Sequence, residues 1–265
     1  MHKSSLKLAA LALALSLSGC GLFPEKVDET KDWSAARLYS EAREELSAGG
    51  YDKAVEYFEK LESRYPFGTY AQQAQMEIAY AHYRQGEAPE ALAAVERFIK
   101  LHPNHPNVDY MYYLRGLINF NDKLSFLDFI FRQDPSERDP KAARDAFDSF
   151  KQLVERFPNS VYAKDAVDRM KYLVNALAQY EVHVANYYYR RGAYVAAANR
   201  AQIAVSEYRD APAIEEALYL LVKSYDAMGM TDLRNDAERV LKATFPNSVY
   251  FRGGPQVSAP WWKIW

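Results

Sequence analysis

The 265-residue chain is poor in several features that identify protein classes. Cys20 is its single cysteine, so no disulfide forms within the chain. It has only 11 glycines. It also has no stretch of 18 apolar residues, so the sequence predicts no membrane-spanning helix. The formal net charge of −2 makes nucleic acid a poor candidate partner. These scarcities exclude disulfide-stapled, membrane-spanning and strongly basic proteins.

Short motifs for catalysis or metal binding are also missing. The sequence has no glycine-rich phosphate loop, no HExxH pair and no paired-cysteine site. His102 and His105 are interrupted by prolines and have no third ligand nearby, so we predict no metal there. Asp134, Glu137 and Asp139 lie beside two arginines, which is typical of a polar loop with compensating charges. We therefore predict no catalytic residue, no metal and no cofactor.

What the chain does contain is a helical repeat. Between Gly49 and Pro66, apolar side chains recur at the i, i+3, i+4, i+7 spacing of one helix face, and the proline ends the helix. The same 17-residue spacing separates Gly86 from Pro103 and Gly229 from Pro246, and two further copies end at Pro158 and, with the proline displaced by three residues, at Pro212. This is the tetratricopeptide (TPR) pattern. We predict an all-α solenoid of about five TPR-like helix pairs, about ten helices in all.

The repeat units also set the expected helix boundaries. Ser34 is a candidate N-cap for the first helix. The third unit is interrupted by an insertion at 119–139, either an extra helical turn that caps the unit or a partner-binding loop. The further helices are expected at about 52–64, 71–84, 89–101, from 110, 140–157, 160–191, 193–208, 213–228 and 231–245.

The first twenty residues resemble a bacterial lipoprotein signal. Lys3 and Lys7 precede a short apolar run that ends in Leu17-Ser18-Gly19-Cys20. The resemblance implies a covalent lipid on Cys20 (N-palmitoyl, S-diacylglycerol) and, because glycine rather than aspartate follows, the periplasmic face of the outer membrane. The alternative is an ordinary secretory signal with a chance cysteine. We divide the chain into a signal peptide (1–19), a lipidated tether (20–32), N-terminal units (33–130), C-terminal units (131–250) and a tryptophan-rich tail (251–265) that folds back or binds a partner.

Specific strings within the repeats resemble the BamD family, also called the competence lipoprotein ComL, of the outer-membrane β-barrel assembly machinery. The resemblance covers residues 33 to about 250 and implies a scaffold without an enzymatic step. The strings are RYPFGTYAQQ (64–73), HPNVDYMYYLRGL (105–117), SERDPKAARDAF (136–147), FPNSVY (157–162) and YYYRRGAYVAAANRAQ (187–202).

Partners follow from the same resemblance. It implies that the C-terminal repeats bind a periplasmic POTRA domain of the subunit BamA. The N-terminal repeats would receive the C-terminal signals of unfolded outer-membrane β-barrel proteins, or the extended N-terminal segment of BamC, another Bam lipoprotein. The alternative function is a lipid-anchored TPR adaptor for another cell-envelope process, such as recruitment of peptidoglycan enzymes. Such an adaptor would not need the RYPFG and HPN-DY strings.

Two groups of residues are candidates for these contacts. Barrel signals end in an aromatic residue with a free carboxylate, so a basic and aromatic group is the candidate peptide receptor: Arg64, Tyr65, Phe67 and Tyr70.

The resemblance implies that the Asn-Arg pair at Asn199 and Arg200 faces the POTRA domain of BamA, and with Tyr194 this pair forms the candidate BamA-binding group. At 3.6 residues per turn Arg200 lies about 60° from Ala197, so it need not point into the helix–helix seam. On this basis its loss is expected to leave the melting temperature nearly unchanged. The alanines expected to pack against neighbouring helices are Ala193, Ala196, Ala197, Ala201 and Ala204.

Overall fold

The repeats form an all-α array in which each helix packs mainly on the helices next to it in the chain. The computed structural model describes residues 28–120 and 140–252. Within these two ranges the chain forms ten α-helices and no strand. The helices are α1 (Ala35–Ala48), α2 (Tyr51–Arg64), α3 (Thr69–Gln85), α4 (Ala88–Leu101), α5 (Val108–Phe120), α6 (Pro140–Arg156), α7 (Ala163–Arg190), α8 (Tyr194–Glu207), α9 (Ile214–Ala227) and α10 (Thr231–Thr244).

Four of the five helix pairs are joined by the same tight turn. A glycine with positive φ ends the first helix of the pair, and the residue after it donates its N–H to the carbonyl five residues back. At Gly49, for example, φ is 85° and Gly50 N lies 2.8 Å from Glu45 O. This left-handed conformation favours glycine because a side chain would be strained there. The other three turns are at Gly86, Gly192 and Gly229.

The second helix of each pair also ends in a common way. An aromatic or histidine residue caps it and donates its N–H to the carbonyl four residues back, as Phe157 does to Leu153 at 2.8 Å. Proline follows in four of the five units and stops the helix because it has no N–H to donate. The matching caps are Tyr65, His102, Tyr208 and Phe245.

Buried apolar side chains form three clusters along the array. The first joins α1, α2 and α3, the second runs from α3 to α7, and the third from α7 to α10. Helix α7 has 28 residues, so it is about 42 Å long. It contributes Leu173 to the second cluster and Ala178 to the third. One long helix therefore connects the two halves of the array.

The tightest helix contact lies in the second cluster, between α5 and α6. Gly116 faces the ring of Phe150, which is fully buried. A Cβ built on Gly116 would lie 2.3 Å from Phe150 Cε1, closer than any side-chain contact allows. Here glycine is required by packing between helices and not by backbone conformation.

The structure confirms the predicted all-α solenoid of about ten helices, and Ser34 caps α1 by accepting the N–H of Arg37 at 3.3 Å. The long helix predicted from residue 160 begins instead at Ala163, because residues 157–162 form a turn in which Ala163 N donates to Ser160 O. The signal peptide, Cys20, the carboxylates of the insertion and the tryptophan-rich tail lie outside the described residues. The division of the chain at residues 130 and 131 also stays a prediction.

Candidate peptide-binding groove

A concave groove of about 1070 Å³ lies in the N-terminal half. Its walls come from α1, α3 and the start of α5, and the turn before α7 closes one end. Five tyrosines line it, namely Tyr39, Tyr51, Tyr80, Tyr110 and Tyr162. Burial raises the pKa of Tyr110 well above its ordinary value, so this phenol stays neutral. The groove therefore presents apolar ring faces together with phenol hydroxyl groups.

Tyrosine pairs recur along the array between the first helix of a unit and the chain that follows the second helix of the same unit. In the first unit, the rings of Tyr39 and Tyr70 are 5.5 Å apart. In the third unit, Tyr113 stacks on Tyr162 at 4.8 Å. In the fifth, Tyr219 stacks on Tyr250 at 4.7 Å. The signal for these last two pairs is in the sequence, because FPNSVY recurs at 157–162 and 245–250.

Two arginines contribute positive charge to the groove, and their surroundings differ. Arg43 is paired with Glu77, whose carboxylate raises the pKa of the guanidinium. Arg84 donates to the Tyr80 hydroxyl at 2.6 Å and lies 5.4 Å from the ring centre of Tyr51. Within residues 28–120 and 140–252, no carboxylate lies in ion-pair distance of Arg84. Arg84 is thus the groove cation that is open to an anionic ligand.

Carboxylates in the groove are already satisfied. Asp109 accepts the Ser160 hydroxyl at 2.6 Å and the N–H of Tyr110 at 2.8 Å. Glu77 holds Arg43. A ligand carboxylate would therefore approach Arg84 without first displacing an acidic side chain from it.

Sequence reasoning missed Arg84 and Tyr80. Their separation of four residues places both on one face of α3, and this spacing was the available signal. What the spacing does not give is that α1, α3 and α5 bring further tyrosines to the same groove.

The predicted peptide receptor is only partly assembled. Arg64 is occupied by the segment before α1, because it forms an ion pair with Asp28 and donates to Thr30. Tyr65 donates its hydroxyl to the carbonyl of Trp33 at 2.9 Å. Phe67 is 91% exposed, and Tyr70 packs on the groove residue Tyr39. Of the four predicted receptor residues, Tyr70 packs directly on a groove residue. That the four residues form a peptide receptor stays a prediction.

The predicted BamA-binding residues lie in the first half of α8. Asn199 is exposed, and Tyr194 packs on Tyr189 with ring centres 5.4 Å apart. Arg200 donates to Glu181 at 3.0 Å, and this hydrogen bond raises the pKa of Arg200.

Arg200 therefore takes part in the contact between α7 and α8. Its side chain reaches across to α7, where Glu181 is 1% exposed and also lies 3.7 Å from Arg144. The angular position of Arg200 on α8 does not show that its long side chain reaches a buried partner on α7, so the expectation of an unchanged melting temperature is not supported. The packing alanines also differ slightly, since Ala198 is buried and Ala193 is exposed.

Other candidate chemistry is sparse in the part of the chain that the structure describes. His102 Nε2 lies 3.0 Å from Gln75 Oε1, and His105 Nδ1 accepts the N–H of Asn107 at 3.1 Å. Among the described residues no three His, Cys, Asp or Glu side chains are arranged to hold a metal ion. Nor does any described helix have the length and apolarity to cross a membrane. The expected absence of a metal and of catalytic residues stays a prediction.

Comparisons with known proteins find outer membrane lipoproteins and BamD proteins. Residues 31–241 match the model of the YfiO family, described as outer membrane lipoprotein. The chain is 47% identical to the outer membrane protein assembly factor BamD of Neisseria meningitidis serogroup A, over 97% of this chain and 98% of the relative. Proteins of the same name from Vibrio cholerae and Haemophilus influenzae are 40% and 34% identical, over 84% and 89% of this chain and 90% and 89% of theirs. The chain therefore belongs to the YfiO family of outer membrane lipoproteins, which includes the BamD proteins.

Proposed function

We propose that this chain is a lipid-anchored scaffold that takes part in assembling β-barrel proteins in the outer membrane and performs no catalytic step. Its membership of the outer membrane lipoprotein family and the name that its relatives share support this role. A stack of helix pairs also suits it, because such arrays offer a curved and rigid surface for extended peptides.

The observation that carries the proposal is Arg84 in the tyrosine-lined groove. The C-terminal signal of a barrel protein ends in an aromatic residue with a free carboxylate. The guanidinium of Arg84 would bind that carboxylate by charge-assisted hydrogen bonds. The tyrosine rings would pack on the aromatic side chain. BamC would compete if its extended N-terminal segment occupies the same groove.

Replacing Arg84 with glutamine is expected to weaken binding of such a peptide by about 1.5–3 kcal/mol, which is about 10- to 150-fold in Kd, because a charge-assisted hydrogen bond is lost. The measurement is a titration of the mature protein with the last residues of a barrel protein, once as the free acid and once as the amide. Wild-type protein should prefer the free acid, and Arg84→Gln should bind both forms equally.

Arg97→Gln is the matched control. Arg97 is an exposed cation on α4 that pairs with Glu62 at 2.9 Å and does not line the groove. It should leave the preference for the free acid unchanged. A preference for the free acid that survives Arg84→Gln would contradict the assignment of Arg84 to the carboxylate.

The first half of α8 is proposed to bind a periplasmic POTRA domain of BamA. Asn199 and Tyr194 are accessible, and Arg200 is 39% exposed despite its bond to Glu181. An arginine held in place by an internal carboxylate is preorganised, so less side-chain entropy is lost when a second carboxylate binds. Other Bam lipoproteins and unfolded barrel proteins complete the proposed set of partners.

Cys20 is proposed to carry the lipid that anchors the chain to the periplasmic face of the outer membrane. Cys20→Ser is expected to abolish acylation and release the protein into the soluble periplasmic fraction, or to leave it uncleaved. Fractionation of envelopes and the mass of the purified protein measure both effects. A variant that is processed normally and stays with the outer membrane would disprove the lipid anchor.

A further inference from the structure

A short polar segment before α1 is fixed to the end of α2. We call residues 28–33 the strap. Lys60 donates to Asp28 at 3.2 Å, and Arg64 pairs with the same carboxylate. Arg64 also donates to the Thr30 hydroxyl at 3.0 Å, and Thr30 is buried. The strap is thus tied to two cations that are one helical turn apart on α2.

The strap has further attachments at both ends. The Thr30 hydroxyl donates to Asp28 at 2.7 Å, and hydrogen bonds from Thr30 lower the pKa of Asp28 to about 2. At the other end, Trp33 packs on Tyr57 with ring centres 5.5 Å apart, and its carbonyl accepts the Tyr65 hydroxyl. Six residues with this many contacts are held as part of the folded array.

This attachment limits how far the array can lie from a lipid on Cys20. From Cys20 to Asp28 there are eight residue steps, so the connection spans at most about 28 Å when fully extended. If the strap were released, the connection would run to Ser34 and span up to about 50 Å. The strap therefore nearly halves the greatest distance between the lipid and the array. It also fixes the point on the array at which the segment from Cys20 is attached.

That point lies at one edge of the array, beside the loop 65–68. Phe67 in this loop is 91% exposed, whereas the phenol of its neighbour Tyr65 holds the strap. The opposite edge is the turn after Ala48, one helix length or about 21 Å away along α1. A fully exposed phenylalanine is costly in water, and aromatic side chains are favoured at the membrane–water interface.

We propose that the strap orients the array so that the loop 65–68 faces the lipid surface and Phe67 contacts it. The proposal rests on the proposed lipidation of Cys20. The lipid surface is favoured as the occupant because the strap brings the anchored end of the chain to this edge and shortens its reach.

The test uses the full-length acylated protein in vesicles of phosphatidylethanolamine and phosphatidylglycerol that contain a nitroxide-headgroup lipid. Acylation consumes the thiol of Cys20, so Phe67→Cys and Ala48→Cys each provide one site for a fluorophore. Quenching at position 67 should exceed quenching at position 48 several-fold. Asp28→Ala/Thr30→Ala/Trp33→Ala, which removes the side-chain contacts of the strap at both ends, should remove most of this difference. Glu56→Ala, which removes another partner of Lys60 but leaves the strap attached, should preserve it.

Flotation of the protein with the vesicles separates the possible failures. If the protein floats but both positions are quenched equally, or if the difference survives release of the strap, the orientation is wrong and the anchor stands. If it does not float, the lipid anchor is wrong and this proposal falls with it. If position 67 is unquenched by lipid but responds to a barrel-signal peptide, Phe67 belongs to a peptide site and the proposal is overturned.

Discussion

Gly116→Ala is expected to lower the free energy of unfolding by about 2 kcal/mol, although alanine is the better helix former. In an exposed helix the same change would stabilise by about 1 kcal/mol. At position 116 the new Cβ would lie 2.3 Å from the buried ring of Phe150, so α5 and α6 must move apart at a cost of about 3 kcal/mol. Thermal unfolding followed by circular dichroism should show a melting temperature lower by about 4–8 °C.

Gly50→Ala is the control for this result. Its new Cβ would meet the flexible end of the Glu45 side chain at 2.7 Å, which can swing away. Its melting temperature should change little. Phe150→Leu should make Gly116→Ala less costly than it is in the wild-type protein, and additive effects of the two changes would contradict a direct clash.

Arg200→Ala is expected both to destabilise the protein and to weaken its binding to BamA. Glu181 is 1% exposed, and without Arg200 its remaining cation is Arg144, 3.7 Å away. Leaving a buried carboxylate poorly paired costs about 3–5 kcal/mol when the pair is fully buried, so about 2 kcal/mol is expected here because Arg200 is partly exposed. Affinity for the isolated periplasmic region of BamA should fall by about 2 kcal/mol, or about 30-fold in Kd.

Glu181→Leu separates the two effects. It removes the buried charge and fills the space with apolar atoms, and such replacements are often neutral for stability. Both arginines can then turn to solvent, so Arg200 remains available to a carboxylate of BamA. Thermal unfolding of this variant should therefore be near that of the wild type, and its affinity for BamA should fall by no more than about 1 kcal/mol, because Arg200 is no longer held in place by Glu181. Wild-type affinity in Arg200→Ala, together with its lower stability, would make Arg200 a purely structural residue.

The sequence predicted the helix pairs well because their signals are local. The glycine at position 49 and the proline at position 66 bracket a helix through backbone geometry alone. The apolar spacing of Ala54, Phe58 and Leu61 correctly identifies the buried face of α2. Boundaries moved by one to three residues where a turn, such as that at 157–162, shares its hydrogen bonds with the helix that follows.

The contacts that define the candidate sites were not predictable in the same way. Arg64 and Asp28 are 36 residues apart, and Arg200 and Glu181 are 19 apart on different helices. Helix periodicity tells which face a side chain occupies, but not which charge it meets on another helix. The resemblance of the sequence to a known family indicated that the N-terminal repeats hold a peptide site. Only the folded array shows that Arg84 lies in the groove there without a carboxylate partner among the described residues.

The preference of each helix for its sequence neighbours has a consequence for how the chain folds. Contacts between residues close in sequence close only short loops, so the conformational entropy lost before they form is small. The three apolar clusters can then form in separate steps. Because α7 contributes side chains to both the second and the third cluster, folding of the second fixes a helix on which the third can pack. Fraying from α10 need not disturb the groove in the N-terminal half. A chain built in this way can begin to acquire native structure at its amino-terminal end before the carboxyl-terminal units have emerged into the periplasm.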